Sequence, residues 1–190
     1  MDPPEPTVAP SPDFNGRYEK VAPALCAWAT RHVSQTVRAR VEVDDLLQEV
    51  WLRAFRIRDQ FRGDDSAFRA WLFAIAKLVL LEVQRSVRRA QRVRIDDGHT
   101  TRVFDRDQVA AHVTALSQRL LRDEAMRRFC DHLRSLSRED QDLISFCGLE
   151  GSTCAEAARK LGIGVDAAIK RWQRLRTRLR AEGLAHDWLV

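Results

Sequence analysis

The chain has no apolar run long enough to cross a bilayer. Its apolar runs, residues 78–81 among them, fall far short of the roughly 20 residues that a spanning helix needs. No basic segment followed by a hydrophobic one opens the sequence, so neither a secretory signal nor membrane insertion is expected. Cysteine is scarce. The four present (Cys26, Cys130, Cys147, Cys154) form no CxxC pair and no Cys/His ligand spacing. Apolar neighbours at Cys147 and Cys154 instead predict buried, reduced thiols, and with them a cytoplasmic setting. There is one tyrosine, Tyr18, and no serine or tyrosine sits in a basic pocket. The acids read as helix caps and helix faces rather than as a carboxylate cluster. An enzyme acting on nucleic acid, such as a recombinase, is therefore disfavoured, and no catalytic residue, metal or cofactor is expected. Proline is nearly confined to residues 1–15, which hold five of the six and read as a disordered tail.

What the chain does have is charge and helical periodicity. It is 31% charged and 45% hydrophobic over 190 residues, enough for one good core or two small ones. The net charge of +5 points toward an anionic partner, and the cations cluster at residues 85–94 and 170–180. An all-α fold is predicted, with two small helical domains joined by a flexible linker. The N-terminal domain covers 16–93, the linker 94–119 and the second domain 120–183. A C-terminal tail takes up 184–190.

The organising stretch is a helical hairpin over residues 43–92. Val43, Leu46, Leu47, Val50, Trp51, Ala54 and Phe55 recur at helical spacing, with Asp44 or Asp45 capping the start. After a turn at Gly63, Asp64 and Asp65, with Ser66 as N-cap, the same period continues through Phe68, Trp71, Leu72, Ile75, Ala76, Val79, Val83 and Val87. The polar faces differ in chemistry. The first helix shows Glu42, Asp44, Asp45, Gln48 and Glu49, whereas the second ends in Arg85, Arg88, Arg89, Arg92 and Arg94 with no acid between. An earlier helix, residues 18–40, presents Val21, Leu25, Trp28, Ala29, His32 and Val33 to the hairpin. After residue 94 the period fails, and the long connection lets the two units sit far apart. Helical spacing returns from residue 108 through Val109, Val113, Leu116, Leu120, Phe129, Leu133 and Leu136, so the boundary with the second unit falls between 108 and 120.

In the second unit, Ser137 caps a helix carrying Leu143, Ile144, Phe146 and Cys147, which stops at Gly148 or Gly151. Thr153 and Glu156 then have capping-box spacing. A short helix, the turn Gly162-Ile163-Gly164 and a last basic helix to about residue 180 make a helix-turn-helix. Ala157, Ala158, Leu161, Ile163, Ala168, Trp172, Leu175 and Leu179 would close its core. Lys170, Arg171, Gln173, Arg174, Arg178 and Arg180 would face outward. Lysine and arginine neutralise phosphates, and arginine and glutamine can also read base edges in a major groove. A stand-alone helix-turn-helix regulator would explain this unit but leave the acidic-faced hairpin without a purpose.

Taken together, the motifs resemble the extracytoplasmic-function (ECF) sigma factors of bacterial RNA polymerase. V-D-D-L-L-Q-E-V-W-L-R-A-F is similar to their region 2.2, and F-R-G-D-D-S-A-F-R-A-W-L-F-A-I-A-K to regions 2.3 and 2.4. The run from L-S-R-E-D-Q through L-R-T-R-L-R (residues 136–180) is similar to region 4. The resemblance implies a transcription initiation factor without a catalytic centre, partnered by core polymerase (β′ clamp and β flap) and promoter DNA, and in many members by an anti-sigma factor. By position, Asp45, Leu46, Gln48, Glu49 and Trp51 would dock on the clamp. Arg62, Lys77, Arg85, Arg88 and Arg89 would hold the −10 element, with an unstacked base in a pocket. Lys170, Arg171, Gln173, Arg174 and Arg178 would meet the −35 element. Three departures from the family pattern bear on promoter choice. Leu78 stands where asparagine is usual, Ile169 replaces a common lysine or arginine, and Ala167 and Ala168 replace a Thr–Val pair.

Overall fold

A computed structural model describes residues 14–33, 37, 41–92 and 111–189. Among these residues all regular structure is helical. The N-terminal unit comprises α1 (Phe14–His32), α2 (Val43–Arg56) and α3 (Asp65–Arg92), with a 3₁₀ turn at Arg58–Gln60. The apolar stripes read from the sequence are the faces that pack. Leu46, Leu47 and Val50 of α2 and Phe68, Leu72, Ala76, Val79 and Val83 of α3 are buried against Leu25 and Trp28 of α1. Helix α1 starts within the segment expected to be a tail. The Phe14 ring lies 5.7 Å from the rings of Phe55 and Phe68 and 6.3 Å from that of Trp51, and this aromatic contact anchors the first turn. The rest of that segment, residues 1–13, lies outside the described residues.

Both N-caps of the hairpin sit two or three residues earlier than expected. Glu42 caps α2 in a reciprocal box, its backbone N–H donating to Asp45. Asp64, not Ser66, accepts from the Ala67 N–H at 2.8 Å and starts α3. In each case the acid lying closer to the free N–H groups wins, because a carboxylate there also meets the positive end of the helix dipole.

The second unit comprises α4 (Ala111–Arg122), α5 (Glu124–Ser135), α6 (Arg138–Leu143), a π-helical turn (Ile144–Leu149), α7 (Cys154–Leu161) and α8 (Val165–Ala181). The caps at Asp123, Ser137 and Thr153 are formed by side chains that accept backbone N–H groups, and Thr153 and Glu156 close a full capping box. Gly148 does not end a helix. It lies inside the π-helical turn, where a Cβ would come within 2.9 Å of the Trp172 ring, so the residue allows α8 to approach.

Two stretches placed outside the domains by the sequence division are helical or packed. Residues 111–119, expected as linker, belong to α4, whose Val113 and Leu116 are buried; residues 93–110 lie outside the described ones. Residues 184–189, expected as tail, are packed. Leu184 is buried and the Trp188 ring is 5.0 Å from those of Phe129 and His186.

The two units are docked rather than apart. At their centre is Glu150, whose side chain is only 4% exposed. Its carboxylate accepts from the Trp28 indole N–H at 3.2 Å and from Lys77 Nζ at 2.6 Å, with Lys160 Nζ 3.7 Å away. Arg31 of α1 pairs with Asp142 and donates to Gln141, while Arg69 of α3 donates to the carbonyls of Leu149 at 2.7 Å and Trp188 at 3.1 Å. These contacts join residues far apart in the chain, and helical periodicity carries no trace of them.

Candidate nucleic-acid interface

The helix-turn-helix is built from a short capped helix and a left-handed stop. Thr153 and Glu156 start α7. Gly162, at φ 68°, ends it in the left-handed region that glycine enters without strain. Helix α8 follows from Gly164 and buries Ala168, Trp172, Leu175 and Leu179. The opposite side carries Lys170, Gln173 and Arg174, all exposed, along a shallow groove that Thr177, Arg178 and Ala181 complete. No acid lines that groove, so its field suits a phosphate backbone and its forked donors suit base edges.

The other two residues expected on this surface are engaged within the chain. Arg171 turns toward α6, donating to Asp140 at 2.5 Å, Glu139 at 3.0 Å and Ser137 at 3.1 Å. Burial alone would raise the Asp140 pKa, but hydrogen bonds from Arg171 and Ser137 outweigh it and hold the carboxyl below its usual range. Arg171 thus braces the motif from behind. Arg178 is exposed but donates to Glu182 at 2.8 Å, and Glu182 also meets His132 at 2.7 Å.

On the N-terminal unit, Arg85, Arg88 and Arg89 are exposed along the last turns of α3. Arg62 is exposed too, though its guanidinium donates to the carbonyls of Asp59 at 2.6 Å and Phe61 at 2.8 Å, folding over its own loop. Lys77 is 41% exposed and is held by Glu150. The five expected −10 contacts therefore fall into an open arginine group and two cations occupied within the chain. Leu78, the departure next to Lys77, is 58% exposed.

The face of α2 expected to meet polymerase is largely covered. Leu46 and Trp51 are core residues, and Gln48 and Glu49 are also buried. Helix α4 lies over this side, with Ser117 hydrogen-bonded to Asp44, which in turn accepts from Gln48 at 2.8 Å. Glu49 accepts from Arg53 at 2.6 Å, and Arg53 bridges on to Glu82 of α3 at 2.7 Å. The hydrogen bond to Glu82 raises the Arg53 pKa despite partial burial. Only Asp45 of the five is neither core nor fully buried. Arg53 of the acid-rich helix and Glu82 of α3 thus tie the two helices together, while Arg85, Arg88 and Arg89 of α3 stay exposed.

Sequence reasoning missed Glu150, Arg31 and Arg69, the residues that dock the halves. A lone acid past a helix end and two arginines among many carry no periodic signal. Cys26, Cys130 and Cys147 are buried and Cys154 is partly so; all four are free thiols. Burial pushes the Cys26 and Cys147 thiols up to about 12, which makes them poor nucleophiles. Among the described residues no cluster of His, Cys, Asp or Glu could hold a metal ion, and no helix is long and apolar enough to cross a membrane.

Comparison with known proteins points in one direction. The family model for sigma-70 region 2 matches residues 17–93, which span α1 to α3. The RNA polymerase sigma factor NccH of Alcaligenes xylosoxydans xylosoxydans is 32% identical over 148 residues, covering 74% of this chain and 72% of NccH. The ECF RNA polymerase sigma factor SigL of Mycobacterium tuberculosis is 28% identical over 146 residues, 77% of this chain and 75% of SigL. The ECF RNA polymerase sigma factor BldN of Streptomyces coelicolor is 28% identical over 157 residues; the match takes in 83% of this chain but only 56% of BldN's length. No solved structure matches the chain.

Proposed function

Because the chain belongs to the extracytoplasmic-function sigma factors of RNA polymerase, we propose that it binds core polymerase and directs initiation at promoters with separate −10 and −35 elements. The observation that carries this reading is the pairing of a region 2 bundle with a capped helix-turn-helix whose outer face holds Lys170, Gln173 and Arg174. A polymerase-binding bundle without the second unit would read one element, and a helix-turn-helix without the bundle would bind DNA but leave polymerase unprogrammed.

On this reading each unit has a distinct physical task. Arg85, Arg88 and Arg89 neutralise phosphates of the −10 strand while bases leave the stack beside α3. Helix α8 enters the major groove of the −35 duplex, with Lys170, Gln173 and Arg174 at base edges or phosphates. Arg171 holds α8 to α6 on the side away from the DNA and supports the fold of the motif rather than the contact. The polymerase clamp meets the α2 side around Asp45, Gln48 and Glu49. In the isolated chain α4 lies over that side and Glu150 holds Lys77, so engagement includes an opening of the two halves. An anti-sigma partner would act by covering these same surfaces.

The test is run-off transcription. The purified chain, mixed with bacterial core polymerase, is expected to yield discrete transcripts from promoters mapped by their start sites after overexpression. A chain that footprints DNA alone, and neither associates with core enzyme on gel filtration nor programmes it, would overturn the proposal.

A further inference from the structure

Large apolar side chains left exposed among the described residues are few: Ile57, Leu78, Leu81, Val165 and Ile169. Four of these five lie on the two helices assigned above to DNA. The pair on α8 is the better placed to read a duplex. Val165 is 45% exposed and Ile169 37%, and they stand at i and i+4, one above the other on a single face of the first turns. Gln173 continues the same line, again four residues on, and Lys170 and Arg174 flank it. In a helix-turn-helix the N-terminal residues of the second helix are the ones that meet base edges. The turn before them is open, since a Cβ at Gly162 or Gly164 would meet nothing within 4 Å.

Base edges in a major groove offer one apolar group, the C5-methyl of thymine. The adenine paired with it offers N6 and N7, the pattern an amide side chain reads with two hydrogen bonds. A line of valine, isoleucine and glutamine therefore matches A·T pairs at every step, whereas an arginine or lysine at the same place would favour guanine. We propose that Val165 and Ile169 read thymine methyl groups in the −35 duplex, so that this chain's upstream element is specified partly by apolar contact. The inference rests on the reading that α8 enters the −35 major groove, and it adds which side chains choose the bases there.

The experiment uses the full chain with core polymerase. A duplex with a randomised upstream element is selected for binding, and each thymine in the selected element is then replaced by deoxyuridine, which removes the methyl group and nothing else. At one or two positions the replacement is expected to weaken holoenzyme binding about fourfold, the value of one buried methyl-sized group. Ile169→Ala or Val165→Ala should erase the difference between thymine and uracil at one such position while retaining binding. Ile169→Arg should move the preferred base there toward guanine. Circular dichroism serves as a check on folding, since both residues are exposed.

If no thymine is sensitive, or if sensitivity persists unchanged in both alanine variants, the proposal is wrong. It is equally wrong if thymine and uracil behave alike and Ile169→Ala instead weakens holoenzyme assembly, which would assign the apolar pair to a protein partner. Failure of the underlying reading looks different, because the selection would then return no upstream element and Arg174→Ala would change nothing.

Discussion

Glu150→Ala tests the docking of the two halves most directly. The carboxylate is almost fully buried and serves three donors, but these are not equivalent. The Trp28 indole is 1% exposed, so its N–H has no access to water once the carboxylate is gone. An unsatisfied buried donor costs about 1–3 kcal/mol. Lys77 and Lys160 are different, because with 41% and 42% of their side chains exposed they rehydrate when released. Their pairs with Glu150 are screened like surface pairs, for which about 0–1 kcal/mol is typical. The ranges sum to a destabilisation of about 1–5 kcal/mol, with a midpoint of about 3, most of it from the indole rather than from the shorter lysine contact. Glu150→Gln keeps an acceptor for the indole and should lose only about 1 kcal/mol. Trp28→Phe removes the donor, so the double variant with Glu150→Ala should be less damaging than the two single effects added together. Urea unfolding followed by tryptophan fluorescence measures all four, and small-angle scattering reports whether the halves separate before they unfold. A Glu150→Ala chain within about 0.5 kcal/mol of the parent and equally compact would refute the reasoning.

Three further outcomes are expected. His32 stacks on Trp28 with ring centres 4.5 Å apart, its Nδ1–H donates to the Trp28 carbonyl at 2.8 Å, and its Nε2 accepts from Arg31 at 2.8 Å. Burial lowers its pKa, against the Trp28 hydrogen bond and the nearby Glu150 and Asp142, which favour the cation. The unfolded chain therefore binds a proton that the folded chain does not. Stability should fall as pH drops below the ordinary imidazole value of about 6.5, and His32→Gln should flatten that slope in urea titrations between about pH 5 and 7. Arg171→Ala should cost stability of about 1 kcal/mol with promoter preference unchanged. Arg174→Ala should leave stability alone and weaken −35 binding by about 1–3 kcal/mol; a reversal of the two phenotypes in melting and filter-binding assays would contradict the assigned orientation of α8. Gly162→Ala, forced into the left-handed region, should lower the melting temperature by the equivalent of about 1–2 kcal/mol.

The helices were legible because their signals are local. The stripe from Phe68 to Val87, the box at Thr153 and Glu156 and the glycine stop at residue 162 each depend on neighbours within a turn or two, and each appears where the sequence places it. The helical spacing of α4 was legible through Val113, Leu116 and Leu120, but its place in the bundle was not, since it follows a segment with alternating charges and its apolar face finds α1 and α2 only in three dimensions. The polar faces misled for the same reason. Gln48 and Glu49 sit on the side of α2 that composition marks as solvent-exposed, yet both are buried, and Glu49 is tied through Arg53 to Glu82. A charge reversal at Glu49 would therefore perturb the hairpin itself and is a poor probe of polymerase contact. Arg171 shows the limit of counting cations on a helix, since a register shift of one residue separates an outward lysine from an arginine braced against α6.

The contact at Glu150 has a thermodynamic corollary. Any ligand that needs a surface enclosed between the halves meets a population in which only the parted molecules are competent, and its apparent affinity is scaled down by that fraction. Each 1.4 kcal/mol by which Trp28, Lys77 and their neighbours favour closure makes the chain about tenfold more reluctant toward such a ligand acting alone. A ligand gripping both halves at once offsets that penalty a single time for two surfaces, so the same carboxylate that quiets each half separately makes their capture cooperative.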